Sequence, residues 1–208
     1  MNNLIDAIKA YAYDPENPEL NYSLAVIYDN IGQTASAITY YMRAAERTEI
    51  KELAYECLVK QALCFEKQGN RKHTCTILLK HAICLLPRRP EAYFILSRLN
   101  ERSGEHVESY VNAQTALEVC YFNLPGLRTD VEYPGKWGLL YQKGICAWWW
   151  GKGNESREIM KHLKEHHWND MSGNYRKSMI DNMKKLGIEI DGEHDDYIKE
   201  LKSYRVNQ

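Results

Sequence analysis

Residues 20–47 read LNYSLAVIYDNIGQTASAITYYMRAAER, two apolar-periodic stretches separated by a glycine. Leu24, Ala25 and Tyr28 precede Gly32, and Ala37, Tyr41 and Ala44 follow it. Apolar residues three and four apart mark one face of a helix. A glycine between two such stretches supplies the conformation that ends one helix and turns the chain into the next. Small residues at Ala25 and Ala37 let the two helices approach closely. Large ones at Leu24, Tyr28 and Tyr41 fill the space beyond the pair. The stretch therefore predicts a helical hairpin.

The hairpin recurs. Gly32, Gly69 and Gly104 lie 37 and 35 residues apart, and Gly151 follows 47 later, as if about a dozen residues had been inserted. A period in this range signals a solenoid. The second unit carries Leu58, Ala62, Phe65 and Gly69, then Leu78 and Ala82, its second half one residue out of phase. Pro87 and Pro90 close one helix and open the next. The third unit reads Tyr93, Leu96, Ser97, Gly104, Ser109, Ala113 and Ala116; the fourth reads Leu140, Gly144, Ala147, Gly151, Ser156, Met160 and Leu163. The order of small, large and turn positions resembles the tetratricopeptide (TPR) repeat, with Asn21 where that pattern places a tryptophan. The resemblance implies an all-α, right-handed superhelical solenoid of helix-turn-helix repeats. The expected organisation is a solenoid over 1–188, with units at about 1–17 (partial), 18–54, 55–89, 90–120 and 136–170. A loop is inserted at 121–135, and a capping helix at 174–186 closes the open end. The 189–208 tail is acidic and then mixed, with a short helix possible over 195–204.

Composition excludes several classes. A net charge of −1 lacks the basic footprint of a nucleic-acid binder. No apolar run reaches the roughly 18 residues that span a bilayer, and the start, MNNLIDAIKAYAYD, is not a signal peptide. The six cysteines form no C-x-x-C pair and read as reduced thiols of a cytoplasmic protein.

The period breaks at YFNLPGLRTDVEYPG, where Pro125, Gly126, Pro134 and Gly135 forbid a continuous helix. A loop rich in Tyr and Leu is expected to pack on the solenoid and wall one end of its groove, with Asp130, Glu132 and Tyr133 as candidate binding residues. The segments RPEAYFILSRLNERSGEHVESYVNAQTAL and TDVEYPGKWGLLYQKGICAWWWGKGNESR, within residues 88–186, resemble the TPR-type segment that accompanies glycosyltransferases in some bacterial and phage proteins. That resemblance implies a role near glycan modification. The chain shows no α/β nucleotide-binding pattern, and Asp130-Val131-Glu132 lies in a helical array, so the resemblance extends to an accessory role and not to transfer chemistry.

Laid on the repeat, the first helix of each unit lines a concave face. Its inward positions are Tyr22, Val26 and Asp29; Val59, Leu63 and Glu66; Phe94, Arg98 and Glu101; and Tyr141, Ile145 and Trp148. The Lys and Asn types that clamp a peptide carboxylate in some TPR proteins are missing. What remains is an aromatic ladder of Tyr22, Phe94, Tyr141 and Trp148 beside four charged residues, suited to an extended peptide or to the C–H faces of sugars. Of the consecutive tryptophans, Trp148 is expected at the groove, Trp149 at its rim and Trp150 against the loop or the next helix.

His162, Glu165 and His166 form H-x-x-E-H, which places two histidines on one helix face and is the weak candidate for a zinc-dependent hydrolase. No third ligand is evident. The reading is therefore a non-catalytic scaffold without cofactor that binds a protein or peptide partner, a glycosyltransferase among them. A carbohydrate-binding module is the alternative. Neither nucleic acid nor membrane is an expected partner, and exposed end helices leave room for a homodimer.

Overall fold

The structure, a computed structural model, describes residues 4–185 and 187. Among them are ten helices and no strand: α1 (Leu4–Tyr13), α2 (Pro18–Asn30), α3 (Thr34–Arg47), α4 (Lys51–Gln68), α5 (Lys72–Leu85), α6 (Glu91–Arg102), α7 (His106–Val119), α8 (Lys136–Trp149), α9 (Gly153–His167) and α10 (Gly173–Lys185). Each of the first nine packs on its chain neighbour, and α6 also touches α8. The pairs α2/α3, α4/α5, α6/α7 and α8/α9 are the four hairpins of a right-handed solenoid. The proposed tail at 189–208, its possible helix included, and Leu186 at the end of the cap lie outside the described residues.

Local chemistry sets the ends. Asn17 caps α2, its side-chain oxygen accepting from the Glu19 and Leu20 amides, and Pro18 occupies the first turn, where its missing N–H costs nothing. Three hairpin turns close alike. The residue after the glycine donates its N–H back into the ending helix, Gln33 to Tyr28, Glu105 to Asn100 and Lys152 to Ala147, at 2.8–2.9 Å. This is the Schellman arrangement, and it requires the left-handed glycine that Gly32, Gly104 and Gly151 supply.

Inside each hairpin a small residue seven before the glycine, Ala25, Ala62, Ser97 or Gly144, meets a small residue on the returning helix, Ala37, Cys75, Ser109 or Ser156. The approach is close enough for side chains to reach the opposite backbone. Cys75 donates to the Ala62 carbonyl at 3.3 Å, Ser97 and Ser109 exchange bonds at 2.8 Å, and Ser156 donates to the Gly144 carbonyl at 2.7 Å. A Cβ on Gly144 would lie 2.9 Å from Ile159.

The returning helices bury matching trios: Ala37, Tyr41 and Ala44; Cys75, Leu79 and Ala82; Ser109, Ala113 and Ala116; Ser156, Met160 and Leu163. In the second unit it is Leu79, not Leu78, that is fully buried. The one-residue offset lies in the turn, where Asn70 adopts a left-handed conformation (φ 51°) beside Gly69 and restores the phase. Asparagine is one of the few residues that tolerate this region.

Candidate binding groove

The first helices α2, α4, α6 and α8 present the inner wall. The 121–135 segment, here called the strap, runs back along this wall from the end of α7. Its most buried anchor is Val131, and Phe122, Leu127 and Tyr133 pack beside it on the core of α4–α7. Its polar anchor is Glu56 of α4, itself 2% exposed. One Glu56 oxygen accepts from the Arg128 amide at 2.9 Å. The other accepts from the Thr129 amide (2.8 Å), the Thr129 hydroxyl (2.7 Å) and the Tyr22 hydroxyl (2.5 Å). Arg128 forms a two-pronged pair with Glu19 of α2, Arg89 donates to the Pro125 carbonyl, and Arg98 of α6 donates to Glu132. Gly138 at the start of α8 makes room for the strap's end. A Cβ there would sit 2.4 Å from Pro134 and 3.1 Å from Phe94.

This corrects the expected aromatic ladder. Tyr22 is buried with its hydroxyl on Glu56, and burial, reinforced by that hydrogen bond, pushes its phenol well above the ordinary range. Phe94 is fully covered, edge-on to Tyr133 at 5.6 Å. Tyr141 is covered by α10, where it donates to Ser178 and accepts from Asn182, and burial pushes its phenol up to about 12. The strap and the cap thus pack on three of the four rings and leave Trp148. The strap does more than wall one end: it covers the middle of the face.

Among the described residues, two cavities lie along the wall. The first, about 600 Å³, is polar and lies under the strap's edge. Asp29 there bonds to Lys60 at 2.9 Å and Lys67 at 2.7 Å. Burial alone would raise the Asp29 carboxyl, but its hydrogen bonds to the two lysines hold it below the usual carboxylate range. Glu66 pairs with both Arg98 (3.1 Å) and Arg102 (2.9 Å). Leu63, Asp130 and Glu132 complete this lining. Glu132 holds a left-handed conformation (φ 58°), braced by its amide bond to Asp130. Val26 lines neither cavity and packs half-buried on the core of α2–α4.

The second cavity, about 570 Å³, is apolar at its base and lies between α6, α8 and α10. Tyr141, Gln142, Ile145, Trp148 and Trp149 come from α8; Arg98, Glu101 and Arg102 from α6; Asn174, Tyr175, Ser178, Asn182 and Lys185 from α10. Trp148 is 36% exposed, with Arg157 over its ring. Trp149 is 64% exposed and stacks on His106 of the preceding unit. Trp150 packs edge-on against Tyr110 of α7 with Lys152 over its ring, so it faces the previous helix rather than the loop or the next one.

The sequence reading missed Glu56 and the α10 wall. Glu56 is a lone carboxylate in an otherwise apolar stretch of α4, and that interruption is its only signal. In α10, positions 174, 178, 182 and 185 share one face, a spacing read as cap amphipathicity.

His162 and His166 share a face of α9 with ring centroids 4.6 Å apart, and His167 lies 5.9 Å from His162. The described residues bring no third His, Cys, Asp or Glu into a group that could hold a metal ion. Burial raises the Cys75 and Cys146 thiols to about 11 and those of Cys64 and Cys120 to about 12, so they stay protonated near neutrality. No helix among the described residues is long and apolar enough to cross a membrane.

No protein-family model matches the sequence, and no curated protein matches it. Solved structures do match the fold. MamA is 18% identical, with a TM-score of 0.62 over 78% of this chain and 85% of that one. PilF of Pseudomonas aeruginosa is 13% identical, with a TM-score of 0.61 over 84% and 71%. A tetratricopeptide repeat protein from Parabacteroides merdae is 15% identical, with a TM-score of 0.61 over 92% and 74%. At these identities the likeness is one of fold, and with the glycine-centred hairpins it establishes the chain as a TPR-type helical solenoid.

Proposed function

We propose that the chain is a non-catalytic interaction scaffold that holds a peptide or partner protein in the cavity between α6, α8 and α10. The observation that carries this reading is the cavity with Trp148 and Trp149 held at its mouth. Burying a tryptophan is worth several kcal/mol, on the order of the cost of removing one from a core. Rings left in solvent beside a concavity are characteristic of partner anchors. Stacked repeats generate such concave binding surfaces. The likeness of residues 88–186 to glycosyltransferase-associated repeats supports a glycosyltransferase as that partner. The buried free thiols support a reducing, cytoplasmic setting.

The test is affinity capture on the full chain, followed by calorimetric titration of the purified partner. Trp148→Ala is expected to weaken binding at least about tenfold, roughly 1.4 kcal/mol. Equal binding by the variant refutes the site. A captured partner with no connection to glycan transfer refutes that association while leaving the scaffold. A second reading, a carbohydrate-binding module, is favoured by the amides of Gln142, Asn174 and Asn182 beside the Trp148 and Tyr175 rings. Titration with mono- and oligosaccharides, followed by tryptophan fluorescence, tests it.

A further inference from the structure

We infer, building on the scaffold reading, that the cavity between α6, α8 and α10 takes an extended peptide segment in which a large apolar side chain lies next to a carboxylate. Three independent features lead there. The first is an unanswered pair of buried polar atoms. Gln142, 5% exposed, lines the cavity with its side-chain oxygen unpartnered. Arg98, 7% exposed, lines it with its Nε–H unpartnered, although its two terminal nitrogens are bonded. A buried polar atom without a partner costs about 1–3 kcal/mol. A peptide backbone carries donors for the one and acceptors for the other.

The second feature is charge. The lining carries three cations, Arg98, Arg102 and Lys185, against the one carboxylate of Glu101. Arg98 is already held by Glu66 and Glu132, and Arg102, 59% exposed at its side chain, shares Glu66 with it, so the charge open to an incoming anion is that of Arg102 and Lys185. The strap supplies a precedent in the same molecule. Glu132 places its carboxylate on Arg98 from the strap, with a side chain 73% exposed. An acidic peptide residue on α6 is thus a contact this wall already makes. The third feature is the apolar base of Ile145, Trp148 and Tyr175, which accepts a ring or branched aliphatic chain but gives no reason for a carboxylate by itself. A neutral sugar would satisfy the rings but bring no anion to Arg102 and Lys185, which is why a peptide is favoured.

The experiment is selection of a displayed library of random 12-residue peptides on the full chain, followed by fluorescence anisotropy with the enriched peptide synthesised and labelled. The expected consensus pairs Phe, Trp, Leu or Ile with Asp or Glu within two positions. Binding should fall about tenfold or more in Trp148→Ala and in Arg102→Glu, and should weaken as salt rises. Both side chains are solvent-exposed, so helical content by circular dichroism should stay at the parent value. A neutral or basic consensus overturns the inference, as does an acidic consensus insensitive to both variants. Enrichment of no peptide, with Trp148-dependent binding of an oligosaccharide, overturns it in favour of the carbohydrate reading. Retention of a Trp148-dependent protein partner after a failed selection separates loss of this chemistry from loss of the scaffold role.

Discussion

Replacing the Glu56 carboxylate by its isosteric amide tests whether one side chain holds the strap to the wall. Four donors converge on Glu56: the Arg128 and Thr129 amides and the Thr129 and Tyr22 hydroxyls. A glutamine keeps one acceptor oxygen. Turned so that this oxygen meets the three donors at Oε1, its NH₂ faces the Arg128 N–H, and two donors oppose each other. One N–H left unpaired in a buried setting costs about 1–3 kcal/mol, and each remaining bond loses its charged acceptor, worth roughly 1 kcal/mol apiece. The sum of about 4–6 kcal/mol overstates the effect, because the bonds share one carboxylate and are not additive. Local loosening also sets a ceiling, since residues near Arg128 can turn to water while Val131 and Tyr133 stay docked. Those two anchors resist release, at about 1.5–3 kcal/mol for a side chain of their kind. The expected loss for Glu56→Gln is therefore about 2–3 kcal/mol by urea unfolding. Hydrogen exchange should show lost protection at the Arg128 and Thr129 amides and unchanged protection within α4 and α6. Glu19→Gln is the control. It removes the two-pronged but exposed pair with Arg128 and should cost less than about 1 kcal/mol. A Glu56→Gln protein within about 0.5 kcal/mol of the parent, with the two amides still protected, refutes the reasoning. So does a Glu19→Gln loss of equal size.

Gly138→Ala should lower the thermal midpoint, because a Cβ 2.4 Å from Pro134 costs about 1–3 kcal/mol of overpacking, against roughly 1 kcal/mol of helix preference gained; a raised midpoint by calorimetry contradicts this. A thiol reagent at pH 8 should modify Cys84 rapidly in the native protein and all six cysteines after denaturation, since Cys84 alone of the six is exposed; fast reaction of two or more native thiols counts against the packing described. Asp29 has a folded pKa below its ordinary value of 3.8, so its contribution is present above that value and lost as pH falls through the folded one. Asp29→Asn should therefore be less stable than the parent at pH 7, and the gap should narrow below about pH 4; a gap in urea unfolding that is constant from pH 7 to pH 3 rules out the pairing as its source.

The fold was legible because its determinants are local. Gly32, Gly104 and Gly151 occupy turns that need a left-handed residue, and the small pairs Ala25/Ala37 and Ser97/Ser109 sit at fixed distances from them. Such information survives in one sequence. The candidate cavity was legible where single-helix periodicity reports it: Tyr141, Ile145 and Trp148 on α8, and Arg98 and Glu101 on α6, are spaced three or four apart and do line it. The reading of Tyr22 and Phe94 as open positions failed because what covers them is distant in sequence. Arg128 lies 72 residues from Glu56, and no periodicity reports where an irregular segment lies down. The same holds for α10, whose amphipathicity shows that it covers something without saying that it covers Tyr141. Asn70 is an intermediate case. The phase slip was visible, and its placement in the turn required coordinates.

The position of the insertion explains why the open cavity lies where it does. A strap that leaves the end of α7 and must return to the start of α8 can lie over the helices that precede it, α2, α4 and α6, but not over the helix it is about to enter. The inner face of α8 is thus left open by the strap, as is the polar cavity at the strap's edge. α10 reaches it only from the other side, packing on Tyr141 and stopping short of Trp148. An array of equivalent units would offer a uniform groove. Here one inserted segment, held by Glu56, covers the middle of that groove with the chain's own backbone, and the exposed rings of Trp148 and Trp149 lie beyond it on α8. Recognition by this molecule is consequently expected to depend on the α6–α8–α10 junction and to be indifferent to substitutions at Val26 or Asn30 on the first hairpin. A solenoid binding along its whole length would show the opposite.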